Sequence, residues 1–156
     1  MQNKINILVP ELGPSQRNYY LIRNLNIHLE QQGNINNVNV FAENLSRFCL
    51  TPAFAVMNVA EAWGQPGNFV ATSLSTASKL MTYPMAKKKF FYLWDLEFLR
   101  GEGRSYDNCA PIYLYKDFEL ICRSKEHADL VCNSFNIEVK HIVENFELNK
   151  LFEIMK

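Results

Sequence analysis

Lys4-Ile5-Asn6-Ile7-Leu8-Val9-Pro10 decides the fold. Ile5, Ile7, Leu8 and Val9 form a near-continuous apolar run, the signature of a strand buried on both faces, and Pro10 is expected to end it because it has no N–H for a ladder. Glu11-Leu12-Gly13-Pro14-Ser15-Gln16 then gathers turn formers, and Leu21, Leu25, His28 and Leu29 share one helical stripe that stops at Gly33. After an Asn-rich turn from Asn34 to Asn37, Val38, Val40 and Phe41 read as a second strand. Strand, helix, strand implies parallel pairing through a right-handed crossover, with the first loop opening at the carboxyl edge of the sheet.

The same alternation continues along the chain. Leu45 to Gly67 is expected to hold a helix lined by Phe54, Met57, Val59, Ala60 and Trp63 before the Gly64-Gln65-Pro66-Gly67 break. Phe69-Val70-Ala71-Thr72 is a third strand, with Ser73 or Ser75 capping the next helix and Pro84 beyond its end. Lys89-Phe90-Phe91-Tyr92-Leu93-Trp94, rich in aromatics, is the strongest strand and belongs near the sheet centre. Leu99 to Asp107 reads as a loop, Ala110 to Asp117 as a short helix, Phe118 to Cys122 as a strand, and Ser124 as the cap of a helix whose Ala128, Leu130, Val131 and Phe135 face inward. Val139 to Val143 is a last strand. Residues 144–156, with Leu148, Leu151, Phe152 and Met155 at helical spacing, form a linker-like C-terminal helix. The expectation is α/β: one Rossmann-like three-layer domain over 1–156 with a mostly parallel sheet of about six strands.

Composition narrows the function. The 156 residues are 48% hydrophobic and 21% charged, within the range of globular domains, so a packed core is expected. Lys plus Arg and Asp plus Glu are both 16, which removes the global attraction that nucleic-acid binders use, so no nucleic acid is expected as partner. Apolar runs such as Phe90 to Trp94 are far shorter than the roughly 20 residues of a membrane span. No signal-peptide pattern precedes the first strand, so a cytoplasmic location is expected. Cys49, Cys109, Cys122 and Cys132 have no Cys-x-x-Cys spacing and His28, His127 and His141 stand apart from them, so neither a structural metal nor a disulfide framework is expected.

Ligands of open parallel sheets bind beyond the carboxyl ends of the strands, here the loops after Val9, Thr72, Trp94 and Arg123. Gly13, Pro14, Ser15 and Gln16 suit close backbone approach to a ligand, or simply a tight turn, and they match neither dinucleotide nor phosphate-loop fingerprints. Asp95 and Glu97 follow the aromatic strand two apart; continued strand geometry would put both carboxylates on one face, where burial against Trp94 would raise a pKa toward that of a general base. The plain alternative is that Asp95 caps a turn and Glu97 is solvated. Arg100, Arg104 and the Lys87–Lys89 run suit phosphate contacts or a solvated edge. The three histidines are expected on helices or strands away from these loops.

Taken in order, Asn6-Ile7-Leu8-Val9-Pro10, the Gly/Ser loop, the helix to Gly33, Val70-Ala71-Thr72-Ser73, Lys88 to Glu97, Leu120-Ile121-Cys122-Arg123-Ser124 and Val143-Glu144-Asn145-Phe146 resemble the N-terminal domain of GT-B glycosyltransferases, of the group-1/family-4 type with rhamnosyltransferase-like members. The resemblance implies the acceptor side of a hexosyl transfer enzyme, with the nucleotide-sugar donor held by a second domain or a separate chain. It implies Asp95 and Glu97 as catalytic residues, and Gly13, Pro14, Ser15, Gln16, Thr72, Ser73, Trp94 and Arg100 as substrate-binding residues. No cofactor follows from it. A nucleotide-sugar-binding partner chain or a homodimer, and a carbohydrate acceptor, are the expected partners. The alternative is a non-catalytic module that binds a carbohydrate or a protein through the same loops. The tail discriminates: packed back on the sheet it makes the domain self-contained, and exposed it marks a docking surface.

Overall fold

The computed structural model describes residues 4–33, 37–100 and 105–156. Seven strands among them form one sheet: β1 (Ile5–Leu12), β2 (Val38–Phe48), β3 (Val56–Asn58), β4 (Gly67–Ala71), β5 (Ala86–Leu93), β6 (Phe118–Cys122) and β7 (His141–Ile142). Their order is β3-β2-β1-β4-β5-β6-β7, and every adjacent pair is parallel. Five helices connect or follow them: α1 (Gln16–Gln32), α2 (Leu74–Met81), α3 (Ser105–Tyr113), α4 (Lys125–Phe135) and α5 (Leu148–Met155). The domain is Rossmann-like and α/β.

Alternation along the strands divides the core into two layers. Ile5, Ile7 and Val9 of β1, Val70 of β4 and Phe90 and Tyr92 of β5 face α1 and α5. Leu8, Phe69, Ala71, Phe91 and Leu93 face α2, α3 and α4. A parallel sheet covered on both sides demands such doubly apolar strands. From β1 the chain steps outward to β2 and β3, and from β4 it steps the other way to β7. The carboxyl ends of β1 and β4 therefore flank a topological switch point.

Several elements differ from the sequence reading. β1 continues through Pro10 to Leu12, because β4 pairs with β1 only up to Leu8 and the side on which Pro10 lacks an N–H has no strand to miss it. The helix expected within Leu45–Gly67 is instead the long exposed end of β2, the short strand β3 and a 3-10 turn over Val59–Ala62, so the sheet gains a strand. Asn58 caps that turn, its Oδ1 accepting from Ala60 N–H at 2.9 Å. α3 begins at Ser105 rather than near Ala110, and Ser73 and Ser124 cap α2 and α4. Of the Asn34–Asn37 turn, residues 34–36 lie outside the described residues, as does Arg104.

The C-terminal helix is not a free linker. Leu148, Leu151 and Met155 are buried in the same layer as α1, with Phe152 packed against it and its ring 5.2 Å from that of His28. Its last turn is tied down from the sheet by Asn68 of β4, fully enclosed, which donates to the Met155 carbonyl; on the sheet's other face Asn39 of β2 donates to Asn6 of β1 (2.9 Å), which reaches the Pro66 carbonyl (3.4 Å). The turn before it is strained. Asn145 (φ 46°) and Phe146 (φ 53°) are both left-handed, and Asn24 of α1 holds their carbonyls at 2.7 and 3.0 Å.

Candidate functional site

The switch point is built from both sides by helix starts. Ser15 caps α1, accepting from Asn18 N–H at 3.1 Å, and Ser73 caps α2, accepting from Thr76 N–H at 3.2 Å. Their neighbours serve the frame: Thr72 donates from Oγ1 to the Leu8 carbonyl (2.9 Å), stitching β4 to β1. Pro14, Ser15 and Gln16 are exposed at the rim.

The two backbone N–H groups that a phosphate would seek here already hold the chain's own carboxylates. Glu11 folds back to accept from Gly13 N–H and from Asn18 Nδ2 (3.2 Å), while Asn18 also donates to the Gly13 carbonyl (2.9 Å). A Cβ on Gly13 would strike the Glu11 carboxylate, so the close approach expected of a ligand is made internally. Across the crevice, Glu97 Oε1 accepts from Leu74 N–H (3.3 Å), the first amide of α2.

Arg17 spans the gap. Its side chain is only 13% exposed; Nε donates to Asn18 Oδ1 (3.2 Å), Nη1 to the Thr72 carbonyl (3.4 Å), and Nη2 lies 4.0 Å from Glu11. Desolvation lowers its pKa, opposed by the charges of Glu11, Asp95 and Glu97. Glu97 is half-buried, and desolvation raises its pKa; the Leu74 N–H bond and Arg17 oppose that rise, and Asp95 adds to it.

The pair Asp95 and Glu97 is not placed by strand alternation, since β5 ends at Leu93 and Glu97 opens a 3-10 turn over Glu97–Leu99. The turn swings Glu97 to α2 and leaves Asp95 in an ion pair with Arg100 (3.0 Å) at the rim. Trp94 is buried and does not line an open surface: its ring stacks on Phe146 (5.6 Å, 8°), faces Tyr20 at 6.0 Å and carries the Arg123 guanidinium at 4.8 Å. Tyr92 completes this shelf, stacked on Phe146 at 4.2 Å while its hydroxyl donates to the Val143 carbonyl. Lys87, Lys88 and Lys89 open β5 and so lie at the opposite, amino edge, where Lys89 donates to the Met81 carbonyl (2.9 Å).

Sequence reasoning missed three contributors, Arg17, Glu11 and His127, and one buried hydroxyl beyond them. Arg17 and Glu11 flank the loop it singled out, but the bond from Arg17 to Thr72 joins residues 55 apart in sequence and carries no local signal. His127, expected away from the loops, stands in the first turn of α4 at the carboxyl edge; burial and the Arg123 charge lower its pKa while Asp95 raises it, and its Nδ1 has no hydrogen-bond partner. Tyr113, at the end of α3, is buried with an unpartnered hydroxyl. Among the described residues no group of three or more His, Cys, Asp or Glu is arranged to hold a metal ion, and no helix is long and apolar enough to cross a membrane.

Compared with known proteins, the chain matches no family model, no curated protein sequence and no solved structure.

Proposed function

We propose that this chain is the acceptor-side half of a GT-B-type hexosyl transfer enzyme, working with a nucleotide-sugar-binding domain or partner chain, and that Glu97 is its general base. The observation that carries the reading is the Glu97 carboxyl: half-buried at the switch point, with its pKa raised by desolvation. An acceptor hydroxyl placed against it gives up its proton to the carboxylate as its oxygen bonds to the anomeric carbon of the donor, and the nucleotide leaves with the electron pair of the broken C–O bond. Asp95 and Arg100 stand at the rim as hydrogen-bonding groups for the acceptor's other hydroxyls. Glu11 on Gly13 N–H and Glu97 on Leu74 N–H favour a neutral hydroxyl ligand over a phosphate, which supports the reading that the donor is held by another chain or domain.

The test titrates the purified chain separately with methyl glycosides and with nucleotide sugars, following backbone amides by NMR. Glycosides are expected to shift the amides of Leu74 and Glu97, and nucleotide sugars to shift neither. Tight donor binding by the chain alone, or glycosides that leave both amides unmoved, overturns the reading. A carbohydrate-binding module without catalysis is the second reading, favoured by the fact that both carboxylates already have partners, Arg100 and Leu74 N–H. It predicts glycoside binding together with no transfer in the presence of any recovered donor-binding partner.

A further inference from the structure

A polar groove opens on the flank of α1. Tyr20, Arg23, Asn24, Ile27, His28 and Gln31 recur at helical spacing, so they share one face of α1 over about 16 Å. The facing wall is the strained turn at Glu144 and Asn145 together with Asn149 of α5, both elements packed on α1. The cavity between the walls holds about 460 Å³, the size of a ligand site.

The chemistry of the walls narrows the ligand. Among the described residues, the side chains of Arg23, Gln31, Glu144, Asn145 and Asn149 have neither a hydrogen bond nor an ion pair, and all five residues are exposed. Planar amide, carboxylate and guanidinium groups offer donors and acceptors in pairs, which adjacent sugar hydroxyls match. Tyr20, half-buried at the head of the groove, supplies a flat apolar face for a pyranose ring. A peptide would ask for apolar pockets or a free strand edge, and this groove is walled by helices and a turn. A polyanion would ask for a surplus of positive charge, whereas Arg23 is met by Glu144 on the facing wall.

The floor is set in advance. Asn24 donates through Nδ2 to the Asn145 and Phe146 carbonyls (2.7 and 3.0 Å) and so holds two left-handed residues in place. The groove also leads to the crevice. Tyr20 stands about one turn inside α1, whose capped start forms one side of the switch point. Its ring lies 6.0 Å from that of Trp94, the residue before Asp95.

We propose that this groove is a second carbohydrate subsite, holding the body of a linear oligosaccharide whose terminal residue lies in the crevice beside Asp95 and Glu97. The acceptor is then a glycan chain rather than a single sugar. The proposal rests on the carbohydrate-acceptor reading of the crevice and adds the length of the substrate to it.

The full chain, biotinylated, is applied to a glycan array that carries monosaccharides and their linear oligomers. At least one oligomer is expected to bind about tenfold more tightly than its own monosaccharide. The double variant Arg23→Ala/Gln31→Ala is expected to lose that advantage and keep the monosaccharide signal; both side chains are exposed on a helix that alanine favours, so the variant folds. An array with no such oligomer, or an advantage that the variant keeps, overturns the subsite. NMR then follows the bound oligomer, which is expected to shift the side-chain amides of Gln31 and Asn149 together with the backbone amides of Leu74 and Glu97. Shifts at Leu74 and Glu97 alone overturn the groove and leave the crevice reading standing, whereas shifts at Gln31 and Asn149 alone keep the groove as a carbohydrate site and remove the reading of the crevice.

Discussion

Replacing Phe146 separates the two things it does. The side chain is fully buried between the strained turn and the shelf of Tyr92 and Trp94, and the backbone at that position has φ 53°. Truncating a buried phenylalanine to alanine costs about 3–5 kcal/mol. Alanine keeps the Cβ and with it the left-handed strain, whereas glycine releases about 1 kcal/mol of it. We therefore expect Phe146→Ala to lose about 4 kcal/mol and Phe146→Gly about 3, the reverse of the usual ranking of these two residues. At roughly 2–4 °C per kcal/mol in a domain of this length, the alanine variant melts about 8–16 °C lower. Urea unfolding followed by the fluorescence of buried Trp94, in a Trp63→Phe background that silences the exposed Trp63, measures both losses. An alanine variant as stable as the glycine variant, or a loss below about 1 kcal/mol for either, refutes the account of the turn.

Two further outcomes are expected. Glu97→Gln keeps an acceptor for Leu74 N–H but removes a carboxyl whose pKa folding raises above its ordinary value of 4.5. Such a group stabilises fully below that value and loses its contribution as pH rises through the folded pKa, so the variant is expected to match the native melting temperature in acid and exceed it near neutrality; a gain that is constant with pH contradicts the assignment. Leu151→Ala, at a fully buried position of α5, is expected to cost about 2–5 kcal/mol by chemical denaturation, and a cost near zero would mean that residues 144–156 are a linker after all.

What the sequence made legible was the repeated two-state grammar of strand and helix. The doubly apolar β1 and the aromatic β5 identify themselves because a strand covered on both faces has no polar side to obscure it. Ser73 and Ser124 were readable as caps because their chemistry is local. β3 was not: three half-buried or exposed residues carry almost no periodicity, and Phe54 with Met57 imitates a helical stripe while packing in opposite layers of the core. The site was half legible for the same reason. Asp95 and Glu97 were marked by their position after β5, but whether each carboxylate meets an arginine, an amide or water depends on the 3-10 turn and on residues far away in sequence. Arg17 became visible only when the fold closed.

The amide of Asn68 gives α5 a mechanical partner. It projects from β4 on the face opposite the Asn6–Asn39 pair, and it grips the final turn of α5 through the Met155 carbonyl. Peeling that turn away would strand a carboxamide in a dry interior, so α5 is expected to hold to the sheet rather than fray by degrees. It is expected to open together with the amino end of β4, so that α5 and the middle of the sheet share one cooperative unit.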